Sequence, residues 1–276
     1  MLPVGLNSGE RYTVKTTELA QLTTFALSLA EAAAKEILPH FRQNAPIDIK
    51  AGDVWDPVTE GDRAGERAIR HLIEKHYPDH GIIGEEYGTR EGRTGLTWIL
   101  DPVDGTRSFV IGLPTWATLI ALYDDGKPVL GVMSQPFTGD VFVGNRGGSS
   151  LIHRGTRQDI RVGARRGLAD SMAGTTSPHL YKAESAAAFE RLRSTMKSVR
   201  YGLDSYSFCL LAAGHLDIAM DPVLQIYDIA ALIPIMEGAG AVVSSWTSND
   251  PRRGGNVIAA SSQALLDEAL AVMQQA

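Results

Sequence analysis

The sequence predicts an α/β protein in which helices and mainly antiparallel sheet are stacked in alternating layers. Three observations predict it. Residues 16–41 and 56–78 carry apolar positions every three or four residues, as amphipathic helices do. Residues 115–144 instead read ATLIALY, a DDGK turn, PVLGVMSQP and DVFVG, a run of strands joined by tight turns and hence an antiparallel meander. Beyond about residue 166, short strand-like runs alternate with helical ones.

The first helix, residues 16–41, is built on Leu19, Leu22, Ala26, Leu29, Ala33 and Ile37, with Thr16 or Thr17 as its expected cap. Residues 48–56 are polar and interrupted by Gly52 and Pro57, which predicts a loop or a loose hairpin. Ala68, Ile69, Leu72, Ile73 and His76 then mark a second helix ending before Pro78, and Thr59 with Asp62 has the spacing of a capping box. GIIG at 81–84 is a short strand-like run leading into Glu85 and Glu86. Trp98, Ile99 and Leu100 end a buried strand, which Pro102 is expected to stop, and Thr106 is the expected cap of a short helix. GNRGG at 144–148 lacks the strand-Gly-helix context of a phosphate-binding loop and reads as a hairpin turn. Polar, basic residues from 153 to 166 separate two expected halves, 1–150 and 151–276. In the second, strands near 171–175, 198–201, 216–220 and 257–260 alternate with helices near 183–196, 205–213, 229–238 and 262–273.

Composition bounds the function. The 276 residues are 44% hydrophobic and 21% charged, an ordinary globular profile for one large or two modest domains. A net charge of −6 gives no general attraction to nucleic acid or anionic membrane. No run of 18 apolar residues and no basic-then-apolar leader is present, and residues 1–13 show no pattern. Cys209, the single cysteine, excludes an internal disulfide and lies in an apolar helical run as core packing. A cytoplasmic protein is the expectation.

Several chemistries are excluded by missing motifs. There is no HExxH, CxxC pair, Walker lysine loop or GxSxG elbow. What remains is acidic. Asp101 and Asp104 stand three residues apart around a turn at a strand's end, where their mutual repulsion calls for a cation between them. With oxygen donors only, a hard divalent ion suits. Asp-Pro-Val-Asp-Gly also suits a plain turn, and Asp62 and Asp228 each suit a helix cap. Both readings stay open for each residue.

GEE at 84–86, DPVDGT at 101–106 and YDIAA at 227–231, with DPVTEGD at 56–62, resemble the inositol monophosphatase family in order and spacing, over nearly the whole chain. The resemblance implies an α-β-α-β-α sandwich of the sugar-phosphatase type. It implies a first metal site from Glu85, Asp101 and the carbonyl of Val103, and a second from Asp101, Asp104 and Asp228. Thr106 and Asp62 would orient the attacking water, so the implied catalytic residues are Thr106, Asp62 and Glu85. The backbone of Gly105 and Thr106 would receive phosphate oxygens. Two or three Mg²⁺ ions, a small phosphorylated metabolite as substrate, a homodimer and lithium sensitivity complete the expectation, with no nucleic-acid or membrane partner.

DGTRSFVIGLPTWATLIAL, with Arg107, Ser108, Thr115 and Trp116, and the later GLDSYSFCLLAAGHLDIAMDP look most like the histidinol-phosphate phosphatase branch. Arg107, Asp204 and Asp221 are then expected at the substrate, the two acids facing its cationic amine. Both acids read equally as ordinary loop residues. Inositol 1-phosphate, or a broad range of sugar phosphates, is the alternative substrate. A regulatory protein without catalysis on the same scaffold is a third reading. Lys50 reads either as a substrate or metal-water contact or as a solvated loop lysine; the loop after it departs from the family's spacing, and Asp56 replaces a frequent Ser of the histidinol branch, which leaves the choice open.

Overall fold

A computed structural model describes residues 14–43, 46–50, 55, 57–164, 166–247 and 249–274. The expectations for residues 1–13, for Asp56 and for most of the 50–57 loop lie outside them. In chain order the elements are α1 (Thr16–Ile37), β1 (Asp48–Ile49), β2 (Pro57–Val58), α2 (Glu60–His76), β3 (Gly81–Gly84), β4 (Gly88–Arg90), β5 (Leu96–Asp104) and α3 (Thr106–Val110). The meander follows as β6 (Ala117–Asp124), β7 (Lys127–Gln135), β8 (Asp140–Asn145), β9 (Gly148–His153) and β10 (Thr156–Ile160). Then come β11 (Met172–Gly174), α4 (Glu184–Thr195), β12 (Ser198–Arg200), α5 (Tyr206–Ala212), β13 (Ile218–Leu224), α6 (Ile226–Ile229), α7 (Leu232–Gly238), β14 (Val242–Ser245), β15 (Gly255–Ala260) and α8 (Gln263–Met273).

Two sheets result. Eight strands run in the order β10-β9-β8-β7-β6-β5-β3-β4, antiparallel except for β3 beside β5. Five run as β12-β11-β13-β15-β14, parallel on one side of β13 and antiparallel on the other. The layering follows from side-chain alternation along the strands. In β6, Ile120 and Leu122 join the core under α1 and α2, while Leu119, Ala121 and Tyr123 join the core containing α5 and α7. In β15, Val257 and Ala259 face that same central core, and Ile258 and Ala260 face α4 and α8. Strands covered on both faces explain why β6 has no exposed position. The order is α1/α2, eight strands, α5/α7, five strands, α4/α8: the expected five-layer sandwich.

Some boundaries move for physical reasons. α1 stops at Ile37 because Pro39 allows only a 3₁₀ turn at Leu38–His40. Its N-cap is Lys15 with no side-chain bond, so neither threonine caps it. β5 runs through Pro102 to Asp104, its register against β6 shifting between Asp101 and Asp104. A proline in such a bulge breaks no ladder bond, and the strand is not stopped there. The eight-stranded sheet continues through β9 and β10, so a division at residue 150 passes through β9, and the change of sheet comes after Ile160.

The central helices lie flush on the first sheet. A Cβ on Gly144 would stand 2.2 Å from the Cα of Ile235, and one on Gly131 would stand 1.8 Å from the carbonyl oxygen of Ala231. These contacts are to backbone, which no rotamer change relieves. Gly144→Ala is therefore expected to cost about 3 kcal/mol or more, lowering the melting temperature on the order of 10 °C. Thermal denaturation of the variant checks this; an unchanged midpoint would mean that α7 is not seated so closely.

Candidate metal centre

β3 and β5 run side by side, with Gly84 opposite Leu100, and the Glu85 amide donates to the Leu100 carbonyl at 3.2 Å. This parallel pairing carries Glu85 to the end of β5, beside Asp101. The β5 bulge then turns Asp101 and Asp104 towards one point. Asp101 Oδ1 accepts from its own loop, the Val103 amide at 3.0 Å, and the Asp104 Oδ2 accepts the Ser205 amide at 3.0 Å. Asp228 arrives on α6, which packs against β5. It sits at the third helical position, not ahead of the helix as expected, and its Oδ2 accepts the Gln225 amide at 2.7 Å.

Carboxylate oxygens of Asp101, Asp104 and Asp228 all lie within 4.8 Å of one another. Asp101 is buried, and the other two are half-buried. Their environment disfavours charge. Burial, then Glu85, Asp104 and Asp228, push the Asp101 carboxyl well above the usual range. Burial, then Asp204 and Asp228, do the same for Asp104, against the hydrogen bonds from Ser205. Asp228 is pushed up to about 7, chiefly by burial. Glu85 is also raised, first by burial, with Lys50 pulling the other way. A divalent cation would remove this repulsion at once. The donors are all oxygen, with no histidine or cysteine in the group, which fits Mg²⁺ better than zinc.

Asp62 lies alongside, on the first turn of α2. Its Oδ2 takes the amide of Thr59 at 2.8 Å and the hydroxyl of Thr59 at 2.5 Å, completing the capping box. Its Oδ1 is turned the other way, and the Thr106 hydroxyl stands 3.3 Å from it and 3.0 Å from the Val103 carbonyl. Asp62 is thus a cap on one oxygen and a partner of Thr106 on the other. Burial, against the Thr59 hydrogen bonds and with Glu86 and Glu85 near, raises it to about 6. Thr106 opens α3, but Gly105 is the capping residue, at a φ of +78°. A Cβ there would lie 2.9 Å from the Asp204 carboxyl carbon, so glycine alone satisfies both the backbone and the neighbour.

The expected substrate residues are dispersed. Arg107 is exposed and donates to the Trp55 carbonyl at 2.8 Å. Asp204 accepts on one oxygen from Ser108 at 2.6 Å and Thr115 at 3.3 Å, which ties α5 to α3. Asp221 is buried, with Oδ1 taking the Thr175 hydroxyl and the Thr176 amide and Oδ2 taking the Thr176 hydroxyl. Burial raises it to about 7. Both acids hold protein loops, while their charge still reaches Asp104 and Asp228.

Two neighbours were not assigned to the site from the sequence. Lys50, whose role the sequence leaves open, places its ammonium 2.8 Å from Glu85 Oε1 and 2.7 Å from Glu86 Oε1. Burial favours the neutral amine, but Glu85 and Glu86 outweigh it and hold Lys50 charged. Glu66, fully buried, accepts the amides of Glu86 at 2.8 Å and Tyr87 at 3.2 Å and pairs with Arg70 at 2.7 Å. It stands one helical turn beyond Asp62, a spacing that could have signalled it. Through those amides it fixes where Glu85 points. Glu66→Gln, which sets an amide NH₂ against these donors, is expected to raise the Mg²⁺ concentration for half-maximal turnover about tenfold or more. A magnesium titration of phosphate release checks it; an unchanged requirement would free Glu85 from that control.

A match to the inositol monophosphatase family runs over residues 18–276. Over 233 residues the chain is 38% identical to bifunctional phosphatase IMPL2, chloroplastic, of Arabidopsis thaliana, covering 84% of this chain and 66% of that protein. It is 36% identical over 216 residues to the histidinol-phosphatase of Chlorobaculum parvum, covering 78% of this chain and 82% of that one. A solved inositol monophosphatase from Zymomonas mobilis superposes with a TM-score of 0.82 at 36% identity, covering 93% of this chain and 98% of that one. With the five-layer sandwich and its clustered carboxylates already in place, this breadth of likeness shows that the chain belongs to the inositol monophosphatase family, metal-dependent phosphoric monoester hydrolases acting on small phosphorylated substrates.

Proposed function

We propose that the chain is a Mg²⁺-dependent histidinol-phosphate phosphatase of histidine biosynthesis. The observation that carries the reaction is the set of three carboxylates whose oxygens lie within 4.8 Å, with Glu85 beside them. Asp101, Asp104, Asp228, Glu85 and the Val103 carbonyl would hold the ions. Bound Mg²⁺ supplies an acidified water near neutral pH and positive charge against the phosphoryl oxygens.

The chain's own groups do the rest. The backbone N–H groups of Gly105 and Thr106 receive phosphate oxygens at the start of α3. The Thr106 hydroxyl, hydrogen-bonded to Asp62 Oδ1, orients the attacking water, and Asp62 accepts the proton at that oxygen. A carboxylate whose affinity for protons sits at about 6 is well placed for this near neutral pH. Asp204 and Asp221 lend the alcohol side a negative field, which suits an ammonium-bearing substrate and accords with the likeness to a histidinol-phosphatase.

A second reading, inositol 1-phosphate, is favoured by a specific observation: both oxygens of Asp221 are already taken by Thr175 and Thr176. A homodimer and a cytoplasmic location belong to the same proposal and rest on the family likeness and the single buried Cys209. Phosphate release from histidinol phosphate and inositol 1-phosphate, each with Mg²⁺ and with EDTA, tests the reading. Histidinol phosphate is expected to be hydrolysed at least tenfold faster, and EDTA to abolish it. Comparable rates would make the protein a broad monophosphatase, and Mg²⁺-independent release would overturn the metal assignment.

A further inference from the structure

At the end of the eight-stranded sheet where β5 finishes, neighbouring strands share a row of side chains. Asp104 of β5 stands opposite Ala117 of β6, Gln135 of β7 opposite Asp140 of β8, and Asp140 opposite His153 of β9. The first turn of α5 lies across this row and is tied to it twice. The Ser205 amide donates to Asp104 Oδ2 at 3.0 Å, and the next residue, Tyr206, donates its hydroxyl to Asp140 Oδ2. The Tyr206 ring also packs edge-on against Phe142, with centroids 5.9 Å apart. Asp140 is itself held. Its Oδ1 stands 2.6 Å from His153 Nδ1, and the Thr138 hydroxyl donates to its Oδ2 at 3.1 Å. Burial pushes the Asp140 carboxyl up, but the hydrogen bonds from Tyr206, His153 and Thr138 outweigh it and hold it below the usual range. An ionised acceptor makes the Tyr206 bond a strong one.

We propose that Tyr206, anchored on Asp140, is a positioning residue for the hydrolysis: it fixes the first turn of α5, and that turn fixes Asp104 and the Gly105 turn. This rests on the metal-site reading above. Asp204, at the head of the turn, has a φ of +46°, a left-handed conformation that a residue with a side chain keeps only where its surroundings impose it. Its carboxylate binds Ser108 and Thr115 and lies against Gly105, where a Cβ would stand 2.9 Å from it. Those bonds clamp the Asp204 side chain to α3, but they do not hold the Ser205 amide on Asp104. The Tyr206 hydroxyl does so, one residue further on, by tying the turn to β8. Asp104 shares its surroundings with Asp101 and Asp228, which repel it, and Ser205 is the donor that holds it. Its aim therefore depends on where the turn sits.

Tyr206→Phe removes the hydroxyl and leaves the ring against Phe142, with His153 and Thr138 still satisfying Asp140. At saturating Mg²⁺ the kcat of phosphate release is expected to fall about tenfold, part of what a misplaced catalytic group costs. KM should change less than about twofold, because the Gly105 and Thr106 amides stay on α3. Asp140→Asn is expected to act in the same direction, and the double variant to be no slower than the slower single, since both break one link. Ile73→Val, in the core under α1 and α2, is the reference for lost stability alone and should keep the parental kcat. Amide exchange reads the turn without metal or turnover: in Tyr206→Phe the Ser205 amide is expected to exchange about tenfold faster, while amides later in α5 keep their protection. A parental kcat in Tyr206→Phe, an equal loss in Ile73→Val, multiplied losses in the double variant, or an unchanged Ser205 amide would overturn the proposal. Failure of the parent to release phosphate with Mg²⁺ would instead defeat the metal-site reading, and the exchange rates would still show whether Tyr206 holds the turn.

Discussion

Asp104→Asn is expected to lower turnover by at least about 10²–10³-fold, the loss seen when one preorganised group facing developing charge is removed, while raising the melting temperature of the metal-free protein. The two effects share one cause. Asp104 lies against Asp101, Asp228 and Asp204, and each buried negative charge makes the next harder to hold. Asparagine keeps an oxygen that can accept the Ser205 amide, so the backbone join to α5 survives. What it loses is the charge that a divalent ion requires. Each kcal/mol of repulsion relieved is worth about 2–4 °C in a chain of this size, so a rise of a few degrees in EDTA is expected, together with loss of the stabilisation that Mg²⁺ gives the parent. Sites that trade stability for chemistry behave this way. Turnover at the parental rate would remove Asp104 from the mechanism, and a fall in the metal-free midpoint would mean that the charge is structurally needed.

In EDTA the parent is expected to lose several degrees of melting temperature between pH 5 and pH 8, and in saturating Mg²⁺ to lose much less or to gain. The sign follows from proton counting. Asp62 is raised to about 6 and Asp221 and Asp228 to about 7, and Asp101 and Asp104 are held well above the usual carboxylate range, each chiefly by burial. In the unfolded chain aspartates titrate near about 4. Between those limits the folded protein holds protons that the unfolded chain has released, so stability falls as pH rises. These groups contribute fully below about pH 4 and lose that contribution as each passes its folded value. Asp140 and Asp250, held below the usual range despite desolvation, act with the opposite sign, but in a more acidic window. Mg²⁺ binds the ionised form and displaces those protons, which turns the slope around. Melting curves at pH 5, 6, 7 and 8 with and without Mg²⁺ decide it; an EDTA series that is flat or rises with pH would show that the carboxylates are not held protonated by their surroundings.

The elements were legible in the sequence where one periodicity dominated. The helices on Leu19–Ile37 and Ile69–His76, the DDGK and GNRGG turns and the strand at Trp98 all stand where the pattern of apolar residues places them. So does the approach of Glu85 to Asp101, because two short strands ending in acids need only lie side by side. The rest depended on partners far along the chain. Pro102 marks a stop locally, yet β6 accommodates it as a bulge and the strand runs on to Asp104. Asp204 and Asp221 read as free acids, whereas Ser108, Thr115, Thr175 and Thr176 arrive from other elements to bind them. Arg107 is spent on the Trp55 carbonyl. Glu66 was hidden for the opposite reason: an acid among Arg63, Arg67 and Arg70 on a helix reads as a solvated face, and its burial depends on where the Glu85 loop folds back. Charged residues carry little periodic signal, and their roles are fixed by tertiary neighbours.

Crystals grown with Mn²⁺ and examined by anomalous diffraction offer the most direct measurement. The carboxylate group predicts two ions sharing Asp101, one completed by Asp104 and Asp228 and the other by Glu85 and the Val103 carbonyl. Anomalous peaks elsewhere in the molecule, and none among these four acids, would contradict it.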